Sequence, residues 1–256
     1  QKQIEFIRNI AKWDEARQCW YIYPDIAPEQ GPVARNSTIT LAVIRYLLLF
    51  TLRAGRILGE DREVLCGYAK FLKELPPYPT AQAEVYGTIL RDSETAPAIL
   101  ELRHPSLLMP IYPAGLIDAS APDALRALGE NTVRFAQNHT ELGVFPFGWI
   151  AAAAARMGMG NTAIRVLYEQ GLDCILRANG MGAEETDRFI NHCILEFGYN
   201  YPPFMMEPVG EIPAVVNEML LQSRKGAIHV FPAIPDGSGD RRGDAYTMEP
   251  LTKLRE

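Results

Sequence analysis

The sequence predicts an all-α protein built from helical hairpins. Apolar residues recur at intervals of three and four along most of the chain, for example at Ile39, Val43, Tyr46, Leu47 and Phe50, and this spacing is typical of amphipathic helices. The predicted helices are joined by long loops rich in aromatic residues and proline. Successive hairpins of this kind favour a helical barrel or an α-solenoid over an α/β fold. No repeat of fixed period occurs in the sequence, which weakens the solenoid alternative.

The first half of the chain is predicted to contain three helices. The first covers about residues 2 to 19, where apolar residues keep the helical spacing. The second starts at Asn36 or Ser37, either of which is a plausible N-cap, and reaches residue 58 before a glycine. The third runs over about 61 to 75 and is stopped by the prolines of PPYP, which lack the amide hydrogen that a helix needs.

The second half is predicted to contain four helices and one short strand. Helical spacing extends over about 122 to 141, 147 to 158, 161 to 178 and 211 to 223. The segment GAIHVFPAI follows the last helix, and its β-branched residues between glycine and proline predict a strand. The polar, glycine-rich stretch DGSGDRRGD near the end of the chain is predicted to be a loop.

Composition and charge restrict the class of protein. The chain has 256 residues, 48% hydrophobic and 22% charged, which is typical of a globular protein with a sizeable core. It contains 25 basic and 31 acidic residues, and no cluster of lysine and arginine exceeds a pair of neighbours, so a nucleic-acid partner is not expected. Apolar runs such as Tyr46–Leu52 fall far short of the roughly 20 residues that a membrane span requires.

Cysteines, histidines and glycines do not indicate a metal or cofactor site. Cys19, Cys66, Cys174 and Cys193 show no CxxC spacing and are predicted to be buried thiols, with disulfide or metal roles as the alternatives. The four histidines lack the i, i+4 spacing of zinc ligands. Glycines at 158 to 160 follow a predicted helix rather than a strand, which indicates a helix end and not a phosphate-binding loop.

The loop WYIYPDIAPEQGP, from Trp20 to Pro32, is the first candidate for a site. It combines flat aromatic rings with the carboxylates of Asp25 and Glu29, and sugar rings stack well on such surfaces. Glu29 is therefore a candidate acid. The alternative is a surface glutamate beside a proline turn, which needs no function.

The segment FGYNYPPFMMEP is the second candidate. It places Tyr199 and Tyr201 close in sequence to Glu207, just before a predicted helix N-terminus, where the helix dipole favours a carboxylate. A purely structural carboxylate at a helix start is the alternative. Together, Glu29 and Glu207 predict a proton donor and a water-activating base, the two groups that cleavage of a glycosidic bond requires.

Several segments, in this order along the chain, resemble the helical catalytic domain of glycoside hydrolase family 95, the α-L-fucosidase and α-L-galactosidase family. YPDIAPEQ resembles the loop of the general-acid glutamate, at which Glu29 stands. RHPSLLMPIYPAGLI, with Arg103 and His104, resembles an arginine-histidine loop, and FGWIAAAAARMGMGNTAIRVL resembles a helix led by a tryptophan, here Trp149. PPFMMEPVGEIPAVVNEMLLQS resembles the region of the catalytic base, with Glu207 at the position of an aspartate.

The resemblance implies a fold and a reaction. The fold is an (α/α)6-type helical barrel, or toroid, incomplete in this chain, which would form one catalytic domain over residues 1–256 with one short β element near the C-terminus. The reaction is inverting glycoside hydrolysis without a cofactor or metal, in which Glu29 protonates the leaving oxygen and Glu207 activates water. The residues expected to contact the sugar are Arg103, His104, Tyr199, Tyr201 and Trp149.

Departures from the family pattern predict a change of specificity. Glu207 replaces an aspartate and lengthens the side chain by one methylene, and Ser106 and Leu107 stand where the family has a serine-histidine pair. Tyr201 stands where a histidine is expected. The terminal sugar is therefore expected to differ from fucose. The alternatives are a non-catalytic or degenerate carbohydrate-binding domain and a helical scaffold that docks a protein.

Family members carry further helices upstream and β domains on either side of the barrel. By that resemblance the chain is expected to be an excised part of a longer bacterial protein, secreted or periplasmic, that acts on an oligosaccharide or polysaccharide. The missing N-terminal helices and β domains of the parent are its expected partners, and no membrane span is expected.

Overall fold

The computed structural model describes residues 2–97, 99–140, 144–172 and 206–236. The chain is mostly helical, as predicted. The helices within these ranges are α1 (Lys2–Ile10), α2 (Thr38–Leu58), α3 (Arg62–Lys73), α4 (Asp123–His139), α5 (Val144–Arg156), α6 (Gly160–Val166) and α7 (Glu207–Leu220). Its strands are β1 (Lys12–Asp14), β2 (Cys19–Tyr21), β3 (Thr80–Ala83), β4 (Gly87–Leu90), β5 (Leu221–Arg224) and β6 (Ala227–Val230). Within these ranges no helix combines the length and apolarity needed to cross a membrane.

The described strands form three antiparallel hairpins, β1-β2, β3-β4 and β5-β6, where the sequence analysis predicted a single strand. The first hairpin falls inside the predicted helix over 2 to 19, which is wrong beyond α1. The Asp14 carboxylate accepts a hydrogen bond from the Arg17 amide at 3.1 Å and stabilises a turn. Trp13 and Trp20 then pair across the strands with ring centroids 5.2 Å apart.

The prediction of α2 and α3 is confirmed, and their ends have identifiable caps. Ser37, and not Asn36, is the N-cap of α2, and its hydroxyl accepts the Thr40 amide at 3.4 Å. Gly59 ends α2 in the left-handed conformation at φ 72°, which glycine adopts without strain. The side chain of Asp61 caps α3. Helices α1 to α3 and β2 enclose a small apolar core formed by Ile4, Ile22, Ile44, Leu48, Leu52, Tyr68, Phe71 and Leu75.

A larger core surrounds α5. The alanines of α5 from 151 to 155 are all buried, with at most 1% of each residue exposed. Helices α4, α6 and α7 contact α5, because small side chains allow helix axes to approach closely. Helices α4 and α5 match the helices predicted over 122 to 141 and 147 to 158. The predicted helix over 161 to 178 is α6, continued by a π-helical turn at Leu167–Leu172, and its remainder lies outside the described residues.

The hairpin β3-β4 was not predicted, and it packs against α4. Ile89 and Leu90 are fully buried in the larger core. The Leu90 amide donates a hydrogen bond at 2.9 Å to the hydroxyl of Thr132, which in turn donates to the Leu128 carbonyl oxygen. The loop after PPYP is therefore part of the core and not a simple connection.

The C-terminal elements differ from prediction at one boundary. The helix predicted over 211 to 223 is α7, which begins earlier, at Glu207, and ends at Leu220. Residues 221–224 pair instead with β6, the predicted strand. Lys225 and Gly226 form the connecting turn with φ values of 49° and 78°, as a two-residue hairpin requires.

The cysteines bear out the prediction of burial in part. Cys19 is buried in β2, where burial raises the pKa of its thiol. Cys66 is exposed on α3, so the prediction of a buried thiol is wrong there, because Tyr68 and Phe71 form the side of α3 that faces the core. Cys174 and Cys193 lie outside the described residues.

Gly160, at the start of α6, lies against the chain that follows β6, and we expect Gly160→Ala to destabilise the fold. A Cβ there would lie 2.5 Å from the carbonyl oxygen of Ala233 and 2.8 Å from the carbonyl carbon of Ile234. Since these are backbone atoms, they cannot rotate away, and the free energy of unfolding should fall by about 1–3 kcal/mol in urea titrations.

The matched control is Gly67→Ala in α3, where a Cβ meets no described atom within 4 Å. Because alanine favours a helix over glycine, this change should raise stability by up to about 1 kcal/mol. Equal effects of the two substitutions would contradict the close approach at Gly160.

Candidate active site

The loop that carries Glu29 is tied to the N-terminus of α2. The carboxylate of Asp25 accepts hydrogen bonds from the Ser37 amide at 2.7 Å and from the Thr40 hydroxyl at 2.9 Å. Asp25 also pairs through its backbone with Ala34. The aromatic loop is thus closed at its base, and Asp25, one of its two carboxylates, serves the fold.

Gln30 joins this loop to the segment before Arg103. Its side chain is buried, with 7% of the residue exposed. The amide nitrogen donates to the Glu101 carbonyl oxygen at 3.0 Å, and the amide oxygen accepts the Arg103 backbone N–H at 2.9 Å. Because Gln30 uses both ends of its amide, the residue next to it, Glu29, is positioned beside Arg103 and His104.

The backbone of Glu29 has an unusual conformation. Its φ is 52°, in the left-handed region that residues with a Cβ seldom adopt. Its carboxylate lies 2.5 Å from Nε of Arg103 and 3.4 Å from Nε2 of His104. The Glu29 side chain is 60% exposed, so the ion pairs face solvent and add little to stability. Strain at an exposed, charged position is characteristic of functional loops.

Ser106 anchors the segment that holds Arg103 and His104 through a buried hydrogen bond. The Ser106 hydroxyl is fully buried and donates to the Asp92 carboxylate at 2.6 Å. Burial raises the pKa of Asp92, and the hydrogen bond from Ser106 opposes this more weakly. Ser106 is therefore a structural residue of this loop.

A line of aromatic rings runs from His104 to a cavity. The rings of His104 and Phe145 meet edge to face with centroids 5.2 Å apart, and those of Phe145 and Trp149 meet in the same way at 5.7 Å. The indole N–H of Trp149 donates to the Tyr112 carbonyl oxygen at 2.5 Å, which fixes the ring. Glu29 and Trp149, which sequence analysis placed in one site, are thus connected by contacting side chains.

The cavity has a volume of about 260 Å³ and lies between α5, α7 and the loop after the 3-10 turn at Ser106–Leu108. This volume is close to the lower limit for small-molecule sites and suits a single ring better than a long ligand. Its walls are mainly apolar and aromatic. The lining residues are Met109, Tyr112, Pro113, Phe145, Gly148, Trp149, Ala152, Glu211 and Ala214.

Glu211 supplies a carboxyl group to this cavity, and the sequence analysis missed it. Its Oε2 is buried and makes no hydrogen bond of good geometry with the described residues. Burial, and next the negative charge of Glu207, raise the pKa of Glu211 to about 8, and the nearby Gly148 backbone N–H lowers this pKa by less. The available signal was the i, i+4 spacing of the two glutamates, which places both on one side of α7.

The other predicted residues of this region are placed as follows. Glu207 is the first residue of α7, half-buried, one turn before Glu211. A carboxylate at this position is stabilised by the helix dipole. Tyr199 and Tyr201 lie outside the described residues. The structure thus connects Glu29, Arg103 and His104 with Trp149 through contacting side chains. It also shows Glu211 as a further carboxyl group on α7, the helix that Glu207 begins.

The ionisation of Glu211 predicts a dependence of stability on pH. Since its pKa is raised from an ordinary 4.5 to about 8, the folded chain binds more protons than the unfolded chain between these values. Stability should therefore fall as pH rises through this window, by an amount on the order of 5 kcal/mol, at 1.36 kcal/mol per pKa unit. Urea unfolding from about pH 5 to about pH 8 measures it.

Glu211→Gln replaces the carboxyl group by an amide that cannot ionise, so it should remove most of the dependence of stability on pH. Glu84→Gln changes a carboxylate on an exposed position and should leave it unchanged. Parallel pH profiles for the wild type and Glu211→Gln would contradict the raised pKa.

Gln30 allows a second prediction, for the position of the Glu29 loop. Gln30→Ala leaves the Arg103 amide and the Glu101 carbonyl without their partners, so unfolding free energy should fall by about 1–3 kcal/mol. Hydrogen exchange at the Arg103 amide should accelerate. Gln82→Ala, which removes an exposed hydrogen bond to Thr88, should change stability by less than about 0.5 kcal/mol. Unchanged exchange at Arg103 would show that Gln30 does not hold the loop.

Comparison with known proteins supports the family expected from the sequence. Alpha-L-fucosidase 2 of Arabidopsis thaliana is 25% identical over 206 residues, which are 79% of this chain and 23% of that protein. The chain thus spans about a quarter of the length of this curated relative. The sequence model described as the glycosyl hydrolase family 95 catalytic domain matches residues 1–220. Because this match covers most of the 256 residues, the chain belongs to glycosyl hydrolase family 95.

Proposed function

We propose that this chain is part of a glycoside hydrolase that cleaves a terminal glycosidic bond with inversion of configuration. The observation that carries the proposal is the continuous contact from the Glu29 carboxylate through His104 and Phe145 to the cavity beside Trp149. In a chain of family 95, a carboxyl group connected through contacting rings to an apolar cavity is suited to protonate the leaving oxygen of a sugar bound there.

In the proposed reaction Glu29 is the general acid and Glu207 is the base that orients or deprotonates the attacking water. In the free protein the Glu29 carboxylate contacts Arg103 and His104. Binding of the leaving-group oxygen would displace Arg103 from this carboxylate, so that Glu29 faces the oxygen that it protonates. The sugar would stack on Trp149, with Tyr199 and Tyr201 as further contacts.

We propose a fold of the (α/α)6 barrel type, with residues 1–256 in a single domain. The successive contacts of α2 with α3, of α4 with α5 and of α5 with α6 support this arrangement. A secreted or periplasmic, bacterial origin remains a prediction from the resemblance.

The substrate is an oligosaccharide or polysaccharide with a terminal sugar related to L-fucose. This part of the proposal rests on the relative named Alpha-L-fucosidase 2. The specificity is proposed to differ from that of a fucosidase, because Glu207 is longer than the family's aspartate and Glu211 adds a carboxyl group to the cavity.

A second candidate function is binding of carbohydrate without catalysis. It is favoured by the close contact of the Glu29 carboxylate with Arg103, 2.5 Å away, which engages the group that would have to protonate a leaving oxygen. Under this alternative the cavity and its rings bind a sugar, and no bond is cleaved.

Glu29→Gln and Glu207→Gln test the hydrolase in the full-length protein. On a panel of aryl glycosides that includes an aryl α-L-fucoside, each should lower kcat by about 100-fold or more, since each removes a group that transfers a proton. Nuclear magnetic resonance of the first product should show an inverted anomer.

Glu84→Gln is the matched control and should leave turnover unchanged. Equal turnover in the wild type and both site variants would refute the assignment of the two carboxylates. Sugar binding by a wild type that releases no product would establish the second function.

A further inference from the structure

The cavity contains one buried carboxyl oxygen for which the described residues supply no well-formed hydrogen bond. The indole N–H of Trp149 already donates to the Tyr112 carbonyl oxygen. Oε2 of Glu211 is buried and makes no hydrogen bond of good geometry in the described part of the chain, and the Gly148 backbone interacts with this carboxyl group only weakly compared with the effect of its burial. Because a buried carboxyl oxygen without a partner costs about 1–3 kcal/mol, its retention in the lining of a cavity points to a ligand that completes it.

Packing of α5 against α7 fixes the position of this carboxyl group. Gly148 has no side chain, and Glu211 occupies the space that one would take, since a Cβ on Gly148 would lie 2.5 Å from both Cβ and Cδ of Glu211. Ala152 and Ala214, one turn further along each helix, are also small and line the same cavity. Glu211 therefore points to a space that small residues keep open.

The ionisation state of Glu211 determines which ligands it can bind. Burial and the charge of Glu207 raise its pKa to about 8, so at neutral pH the carboxyl group is mostly protonated and can donate a hydrogen bond. Tyr112 is the other titratable group in the cavity lining, and burial raises its pKa further above its ordinary value. Arg156 pairs with Glu218, and no cation of the described residues lowers the pKa of Glu211.

We propose that Glu211 is a specificity-determining residue, which in its neutral form donates a hydrogen bond to an uncharged oxygen of a sugar ring stacked on Trp149. This inference rests on the proposed function, because it assigns to that site a neutral sugar as the ligand class. The rings of Phe145 and Trp149 bind the apolar face of the sugar, and Glu211 selects a hydroxyl or ring oxygen at one position. Glu29 and Glu207 perform the chemistry, and Glu211 takes no part in it.

Glu211→Leu and Glu211→Gln in the full-length protein test this role. With the aryl glycoside of the panel that the wild type hydrolyses fastest, Glu211→Leu should raise KM by about 5- to 10-fold, which corresponds to the loss of one hydrogen bond, and should change kcat less. Glu211→Gln retains a donor and should raise KM by a smaller factor. Above about pH 8 the KM of the wild type should rise as Glu211 ionises, and this rise should be absent in Glu211→Gln.

Gly148→Ala supplies a variant in which Glu211 itself is unchanged. Since the new Cβ displaces the carboxyl group, KM should rise as in Glu211→Leu. Gly210→Ala on α7 is the matched control, because a Cβ there meets no described atom within 4 Å. Quenching of tryptophan fluorescence by the free sugar of that glycoside measures the same change in affinity without turnover.

The outcomes separate this inference from the proposed function. If Glu211→Leu binds that glycoside and its free sugar as tightly as the wild type while Glu29→Gln and Glu207→Gln abolish turnover, Glu211 has no role in binding and the hydrolase stands. If Glu211→Gln loses kcat as fully as Glu207→Gln, Glu211 is part of the chemistry and the inference is overturned. If the two catalytic variants change nothing, the hydrolase assignment fails, and weaker quenching in Glu211→Leu still supports the sugar contact.

Discussion

The close contact between α5 and α7 is the constraint on which the candidate site depends. Alanines at 151 to 155 let α5 lie at the centre of the larger core, and Gly148 extends this small-residue surface toward the first turns of α7. A larger residue at 148 would separate the helices or displace Glu211. The same packing that builds the core therefore opens the cavity and determines how far its carboxyl group is desolvated.

Three segments that are distant in sequence form the rest of the site, and polar side chains join them. Asp25 connects the aromatic loop to the start of α2, and Gln30 connects it to the segment of Arg103 and His104. Ser106 anchors that segment to Asp92. Each joint is a buried or half-buried hydrogen bond, so the exposed Glu29 lies on a loop that is tied to the fold on both sides.

The predictable parts of the structure are those with local signals. Ser37 and Gly59 mark both ends of α2, and the prediction there is confirmed because capping depends on neighbours in sequence. The prediction of one helix over 2 to 19 is wrong around Trp13 and Trp20, because a spacing of seven residues fits one face of a helix and also a pair across two strands. The hairpin β3-β4 depends on Thr132 in α4. The burial of Glu211 depends on Gly148 in another helix. The helical spacing of the sequence therefore predicts the side of α7 on which Glu211 lies, but not what surrounds it.

The bonds of Asp25 give the Glu29 loop less freedom to change in sequence than α7 has. The Asp25 carboxylate closes the aromatic loop and also holds Ser37 and Thr40 at the first turn of α2, so remodelling this loop would loosen a helix of the smaller core. Gly210 on α7 is under no such constraint, because a Cβ there would meet no described atom within 4 Å. Under the proposed function, new ligand preferences in related chains should therefore arise on α7, with the Glu29 loop inherited almost intact.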